Sequence, residues 1–293
     1  YSKVILEDDL INAIYKMTGI ITFLGPTFHS FSMLKGLEQT VESFTQVINE
    51  KEYVLSDPDF YSSDRWYDDQ KNRKFIKNKG MIVINDGKAD GTIIGGNLCS
   101  FNLLQGTKYM PDLTDKILFI EDDALVGKEF PYEFDRNLTS LMQQPNFDKI
   151  RGIVIGRAQT QTGMNLTKWK KILNKKELKK IPIIINANFG HTTPNATIPI
   201  GGLCKMDTLS DNKKIFIAIV DVYYLYYRRE FNKIHGAHAV IVTGYDTDVI
   251  NIIDWYEPYF FQGNIDRRDF LKARSSSNPK NDNPYSGWPI YNK

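Results

Sequence analysis

The sequence predicts an α/β fold with parallel strands, and three observations carry that prediction. Ile117 to Ile120, Ile153 to Ile155 and Ile181 to Ile185 are short apolar runs rich in β-branched residues, so each reads as a buried strand. Between them lie Asp135 to Gln144 and Thr167 to Lys179, both amphipathic and long enough for a helix. Strand, helix, strand, helix, strand implies a parallel sheet with right-handed crossovers. Ligands in such sheets bind at the carboxyl ends of the strands. Glu121 stands at the end of the first strand, and His191 lies just beyond the third. A carboxylate and an imidazole are thus expected at one edge of one sheet, as two members of a nucleophile–base–orienter triad.

The elements follow in order. Tyr1 to Gly19 reads as a loop and then a helix, with Leu10, Ile11, Ile14 and Tyr15 at helical spacing and Gly19 as its stop. Ile20 to Leu24 is a short strand ending at Gly25-Pro26. Phe28 to Glu50 contains a second helix, with Leu34, Leu37, Val41, Phe44 and Val47 on one face. His29 reads as structural. Ser56 to Lys79 is polar and carries Tyr61, Trp66, Tyr67 and Phe75, so it reads as a long loop. Loops of that length are uncommon unless they are functional or disordered. Met81 to Asn85 is a strand, Asp86-Gly87 a turn, and Gly91 to Asn97 opens a second lobe. Its Gly-Gly pair admits a close backbone approach, either to a ligand or to a neighbouring strand. Leu98 to Leu104 starts a helix. Asp122 and Asp123 beside Glu121 raise a metal reading, but no histidine or further acid cluster lies near them. After a strand at the KKIFI stretch the composition changes. Val222 to Phe231 is dense in tyrosine, and a GYDTD turn joins two strands into a hairpin. Ser275 to Lys293 reads as a loosely held end.

The strings FIEDD, GIVIGR, FGHTTPNATIPIG and GTIIGGNLCSFNLLQGT resemble the LD-carboxypeptidase family, and within it the microcin C self-immunity peptidases. The resemblance covers roughly Leu10 to Ile217. It implies a serine hydrolase with a Ser–His–Glu triad, whose glutamate falls on Glu121 and whose histidine falls on His191. It also implies a fold made of a doubly wound N-terminal lobe, shortened here (1–85), and a second α/β lobe with parallel strands (86–217). The family's GYSD-type turn carries the nucleophile, and Tyr1-Ser2 resembles its remnant. Ser2 reads either as the nucleophile or as a terminal serine, and Lys3 stands where the family has Asp. With only Tyr1 before Ser2, the strand that holds this turn is missing, and weak turnover is the expectation. The loop SSDRWYDDQ is similar to one that closes over the nucleotide in the immunity peptidases. Trp66 is therefore read as stacking on a base or as packing its own loop. The resemblance implies a peptidyl- or aminoacyl-nucleotide or a muropeptide as substrate, with no metal or organic cofactor. Residues 218–293, the β-rich tail, resemble part of a papain-like domain of the butirosin biosynthesis protein H type. His238 and Asp254 match that family's histidine and aspartate, while His235 and His238 also read as strand-edge residues. The required cysteine is absent from the tail, since Cys99 and Cys204 belong to the first pattern.

Composition narrows the function classes. The 293 residues are 42% hydrophobic and 25% charged, an ordinary globular balance with room for about two domains. A net charge of +2 argues against nucleic acid as a partner. Two cysteines without a disulfide or metal pattern point to a reducing compartment, hence the cytoplasm. No apolar run reaches membrane-spanning length, so no membrane partner is expected. Whether the chain forms a homodimer stays open. Two rival readings remain: a binding protein that sequesters its ligand without turnover, and an acyltransferase or thiol peptidase run by the tail.

Overall fold

A computed structural model describes residues 7–49, 52–209, 214–218, 241–245, 249–254 and 261–266. The chain divides into two units, Tyr1–Val220 and Asp221–Lys293. The first unit begins with α1 (Glu7–Thr18), β1 (Thr22–Leu24), α2 (Glu38–Asn49) and β2 (Glu52–Val54). Two short strands follow, β3 (Phe60–Tyr61) and β4 (Ile76–Lys77), then β5 (Ile82–Asn85), β6 (Lys88–Asn97) and α3 (Leu98–Asn102). The alternating stretch comes next: β7 (Lys116–Glu121), α4 (Phe130–Met142), β8 (Gly152–Gly156), α5 (Leu166–Leu173) and β9 (Ile183–Ala187). It closes with β10 (Ile198–Ile200), β11 (Leu203–Asp207) and β12 (Lys214–Ala218).

Eight of these strands form one mixed sheet in the order β2-β12-β11-β6-β7-β8-β9-β5. Its centre, β6 to β9, is parallel, as the three apolar runs predict. The flanks β5, β11, β12 and β2 pair antiparallel. Side chains alternate across the sheet. Ile94, Leu118, Ile120, Ile153, Ile155 and Ile183 face the layer of α3, α4 and α5, where they meet Phe101, Phe134, Leu138 and Trp169. Ile93, Ile117, Phe119, Val154 and Ile184 face the other layer, with Phe189, Ala196, Ile198 and Tyr53. A sheet covered on both faces has no polar alternation to show, which is why its strands read as continuous apolar runs.

Several boundaries differ from the sequence reading. α5 stops at Leu173 instead of continuing to Lys179, and a 3₁₀ turn over Lys176–Leu178 puts Leu178 into the core. α2 starts at Glu38, so Leu34 lies before the helix and is exposed rather than on its apolar face. The long loop is closed at its base, where Phe60↔Lys77 and Tyr61↔Ile76 pair antiparallel. In α1, Leu10 is half exposed while Asn12 is fully buried.

Asn12 docks α1 onto the sheet. Its Nδ2 donates to Gly95 O at 2.6 Å, and Gly95 N–H donates to Asn12 Oδ1 at 3.0 Å. A β-carbon on Gly95, whose φ is +122°, would lie 2.3 Å from Phe119 O. The first glycine of the Gly-Gly pair therefore serves the close approach of β6 to β7.

The second unit is a three-stranded antiparallel sheet of β13 (Ile241–Tyr245), β14 (Val249–Asp254) and β15 (Phe261–Asp266). β13 and β14 form the hairpin read around GYDTD, and β15 adds a strand that the sequence reading lacked. Among the described residues no helix is long and apolar enough to cross a membrane.

Replacing Asn12 by Ala strands both backbone groups of Gly95 in the interior. An unsatisfied buried donor or acceptor costs about 1–3 kcal/mol. Asn12→Ala is therefore expected to lower unfolding stability by roughly 2–4 kcal/mol in urea titration. A loss below about 0.5 kcal/mol, the range of an ordinary surface change, would show that α1 is not docked through this side chain.

Candidate active site

The parallel strands β6 to β9 end together, and the loops after them build the site. Asn97, the last residue of β6, is in register with Glu121, the last residue of β7. Alternation sends Glu121 to the same side as Ile117 and Phe119, the layer that holds the 187–200 segment. There its Oε2 lies 2.7 Å from His191 Nδ1. The Glu121 side chain is 3% exposed and that of His191 is 45% exposed. A carboxylate on Nδ1 selects the tautomer with the proton on that nitrogen, leaving Nε2 as the basic one.

Two glycines make room for this carboxylate. A β-carbon on Gly190, whose φ is +98°, would lie 2.5 Å from Glu121 Oε2. One on Gly156 would lie 2.7 Å from Glu121 Cβ and from Phe189 O. Both sit in the strings GIVIGR and FGHTTP, so the signal was present in the sequence without being used.

Asp122 points the opposite way, toward α4. It is 7% exposed. Asn97 Nδ2 donates to its Oδ1 at 3.1 Å, and Asn137 Nδ2 reaches its Oδ2 at 3.5 Å. Asn97 Oδ1 meanwhile accepts from Ser100 N–H at 3.0 Å and caps α3. Burial, then the charge of Glu121, push the Asp122 carboxyl up to about 7. Among the described residues no group of three or more metal-ligating side chains occurs.

The long loop reaches the same place. Ser62 and Thr193 exchange both backbone bonds, at 2.8 and 2.9 Å. Ser63 Oγ accepts from Thr160 N–H at 3.0 Å, and Gln161 Nε2 donates to Ser63 O at 3.0 Å. Gln159 Oε1 accepts from Ala124 N–H at 2.8 Å, which extends the chain of bonds to the segment after Glu121. Trp66 is half-buried, its ring centroid 4.5 Å from that of His29 and 5.7 Å from that of Tyr67. His29 gains in Trp66 the partner that the sequence did not reveal.

Ser2, His235 and His238 lie outside the described residues, and Asp254 is the last residue of β14 in the second unit. Arg157, which no spacing argument singled out, is buried directly after β8. A buried guanidinium beside the His191 turn is a signal that only the fold supplies.

Fold and site together define an α/β protein with an imidazole–carboxylate pair at the carboxyl ends of its parallel strands. Residues 90–206 match the LD-carboxypeptidase C-terminal domain, and the chain belongs to the LD-carboxypeptidase family. It is 45% identical over 210 residues to the carboxypeptidase-named protein YocD of Bacillus subtilis, covering 71% of this chain and 64% of that one. It is 30% identical over 220 residues to the Escherichia coli microcin C7 self-immunity protein MccF, covering 71% and 62%. The crystal structure of an MccF-like protein from Bacillus anthracis superposes with a TM-score of 0.71 at 48% identity, covering 74% of this chain and 66% of that one. MccF in complex with glutamyl sulfamoyl guanosine superposes at 0.60 with 27% identity, covering 73% and 65%. The chain spans just under two thirds of the length of these relatives.

The Asp122 carboxyl gives a pH prediction. Its folded value, about 7, lies above its ordinary 3.8. Between those values the folded chain holds a proton that the unfolded chain has released. Stability is therefore highest below about pH 4 as far as this group is concerned, and falls as pH rises to about 7. The difference amounts to at most about 4 kcal/mol at 1.36 kcal/mol per pKa unit. Asp122→Asn is expected to flatten this decline in chemical denaturation between pH 4 and 7. An unchanged slope in the variant would assign the decline to other groups.

Gly190→Ala addresses the pair itself. The added methyl collides with the Glu121 carboxylate in a backbone region that L-residues rarely adopt. A loss above about 1 kcal/mol and a displaced His191 are expected in a crystal structure of the variant. An undisturbed 2.7 Å contact would contradict the crowding described here.

Proposed function

We propose that this chain is a serine peptidase or amidohydrolase of the LD-carboxypeptidase type, cleaving an amide-type bond. The observation that carries the reading is the 2.7 Å contact between His191 Nδ1 and the buried Glu121. In this reading His191 Nε2 takes the proton from the attacking hydroxyl and returns it to the leaving amine. Glu121 holds the imidazole in the required tautomer and stabilises the imidazolium that forms. Ser2 supplies the hydroxyl, a role that comes from its resemblance to the family's GYSD-type turn. Backbone N–H groups hold the oxyanion.

The substrate we propose is a peptidyl- or aminoacyl-nucleotide, with a muropeptide as the alternative within the family. The first is supported by the relative solved with glutamyl sulfamoyl guanosine. The second is supported by a Bacillus subtilis relative named as a murein peptide carboxypeptidase. Trp66 serves as the base-stacking residue in the nucleotide case. Residues 1–85 then form a partial N-terminal lobe, 86–217 the lobe that carries Glu121 and His191, and 218–293 a papain-like segment without a catalytic role. The cytoplasm is the proposed compartment, on the cysteine usage.

The test is hydrolysis of an aminoacyl sulfamoyl adenylate and of an LD-linked tetrapeptide. Turnover is expected to fall by about 10²–10⁴-fold in His191→Ala and to be lost in Ser2→Ala. Turnover that survives in His191→Ala overturns the assignment of the base. Tight binding of the adenylate without turnover favours a sequestering protein. Loss in His191→Ala but not in Ser2→Ala means that another residue attacks.

A further inference from the structure

We infer that Arg157 is a positioning residue that ties the aromatic loop to the turn carrying His191, and so fixes the orientation of the imidazole. Its kinetic consequence rests on the hydrolase reading above; its structural consequence does not. Arg157 is 2% exposed. Its Nη1 donates to Asn188 Oδ1 at 3.2 Å and to Thr192 Oγ1 at 3.4 Å, so one nitrogen holds both sides of the turn around His191. The guanidinium carbon lies 4.7 Å from the centroid of the Tyr61 ring, at the base of the aromatic loop. Its Nη2 is 3.6 Å from Asp57 Oδ1. Asp57 in turn accepts from Asn78 Nδ2 and, at 2.8 Å, from Met81 N–H, which anchors both ends of the loop.

The energetics argue against a space-filling role. Burial lowers the guanidinium to about 10, with Asp57 and Tyr61 opposing that shift, so it stays charged at neutral pH. Among the described residues its Nε and Nη2 make no hydrogen bond. A buried cation with incomplete partners is costlier than an apolar side chain of the same volume. Its shape suits a geometric role: a planar fork presses on a ring while donating in its own plane, which a lysine cannot do. The backbone supports the same conclusion. Gly156, the neighbour of Arg157, is the residue that packs against Glu121 Cβ. Both members of the imidazole–carboxylate pair are therefore referenced to the end of β8.

Proton NMR of the ¹⁵N-histidine-labelled chain tests this through the Nδ1 proton of His191, assigned with His191→Gln. In Arg157→Lys and Arg157→Met that proton is expected to exchange with water on the order of tenfold faster than in wild type. Tyr61→Leu, which cuts the aromatic arm, moves it the same way by less. Circular dichroism selects the variants that fold. Where an Arg157 variant does not, Thr192→Val, which removes one acceptor of the turn, carries the same expectation. Exchange within about twofold of wild type in the folded variants overturns the inference, whatever happens to their melting temperatures. On a substrate that wild type turns over, kcat is expected to fall on the order of a hundredfold with KM within about twofold. A rise in KM at constant kcat overturns the positioning role in favour of a substrate contact. A wild-type chain that binds but does not turn over counts against the hydrolase reading, and the proton exchange then decides the role of Arg157.

Discussion

Glu121 is an ionisable group at 3% exposure on the end of a buried strand, and much of the surrounding architecture follows from accommodating it. An isolated buried carboxylate is expensive unless it is paired and hydrogen-bonded. His191 supplies the pairing at 2.7 Å. The space comes from Gly156 and Gly190, where any β-carbon would meet the Glu121 side chain. The position comes from the register of β7 between β6 and β8, which brings Asn97, Glu121 and Gly156 to one edge. Shifting β7 by one residue would exchange Glu121 with Asp122 and turn every apolar side chain of the strand to the opposite layer.

The turn that holds His191 has little regular structure of its own and is fixed from several directions. Asn195 Oδ1 accepts from Gly190 N–H at 3.2 Å, and Thr40 Oγ1 on α2 accepts from Asn195 N–H at 3.0 Å. Ser43 Oγ accepts from Thr197 N–H at 3.1 Å. Ser62 pairs with Thr193, and Arg157 holds Asn188 and Thr192. α2 and the aromatic loop, which lie far upstream in sequence, thus act as the wall of a turn near residue 190. A segment with so many tertiary bonds is poorly suited to independent movement.

This explains what the sequence disclosed and what it withheld. The runs at 117–120, 153–155 and 181–185 announced the parallel strands because burial on both faces leaves a continuous apolar signature. Glu121 and His191 were legible because strand ends in such sheets converge. Arg157 and Asn97 were not, because their roles depend on side chains up to 100 positions away that only the fold brings near. Asn12 was misleading in a different way. A helical stripe of Leu10, Ile11, Ile14 and Tyr15 suggested an apolar contact, yet the most buried residue is the asparagine among them. Its amide reproduces the donor and acceptor of a missing strand neighbour for Gly95, a match that hydrophobic periodicity cannot register. The loop at 56–79 likewise has partners remote in sequence, Thr160, Gln161 and Thr193.

The pair Glu121–Asp122 shows how one edge of a sheet gives like groups unlike surroundings. Consecutive residues of an extended strand face opposite layers, so adjacent carboxylates receive different surroundings. Glu121 meets an imidazole, while Asp122 meets the amides of Asn97 and Asn137 in a layer of apolar side chains. Burial raises the Asp122 carboxyl most, and the nearby charge of Glu121 adds to that shift. The difference in surroundings arises from strand alternation and from the asparagine that ends β6.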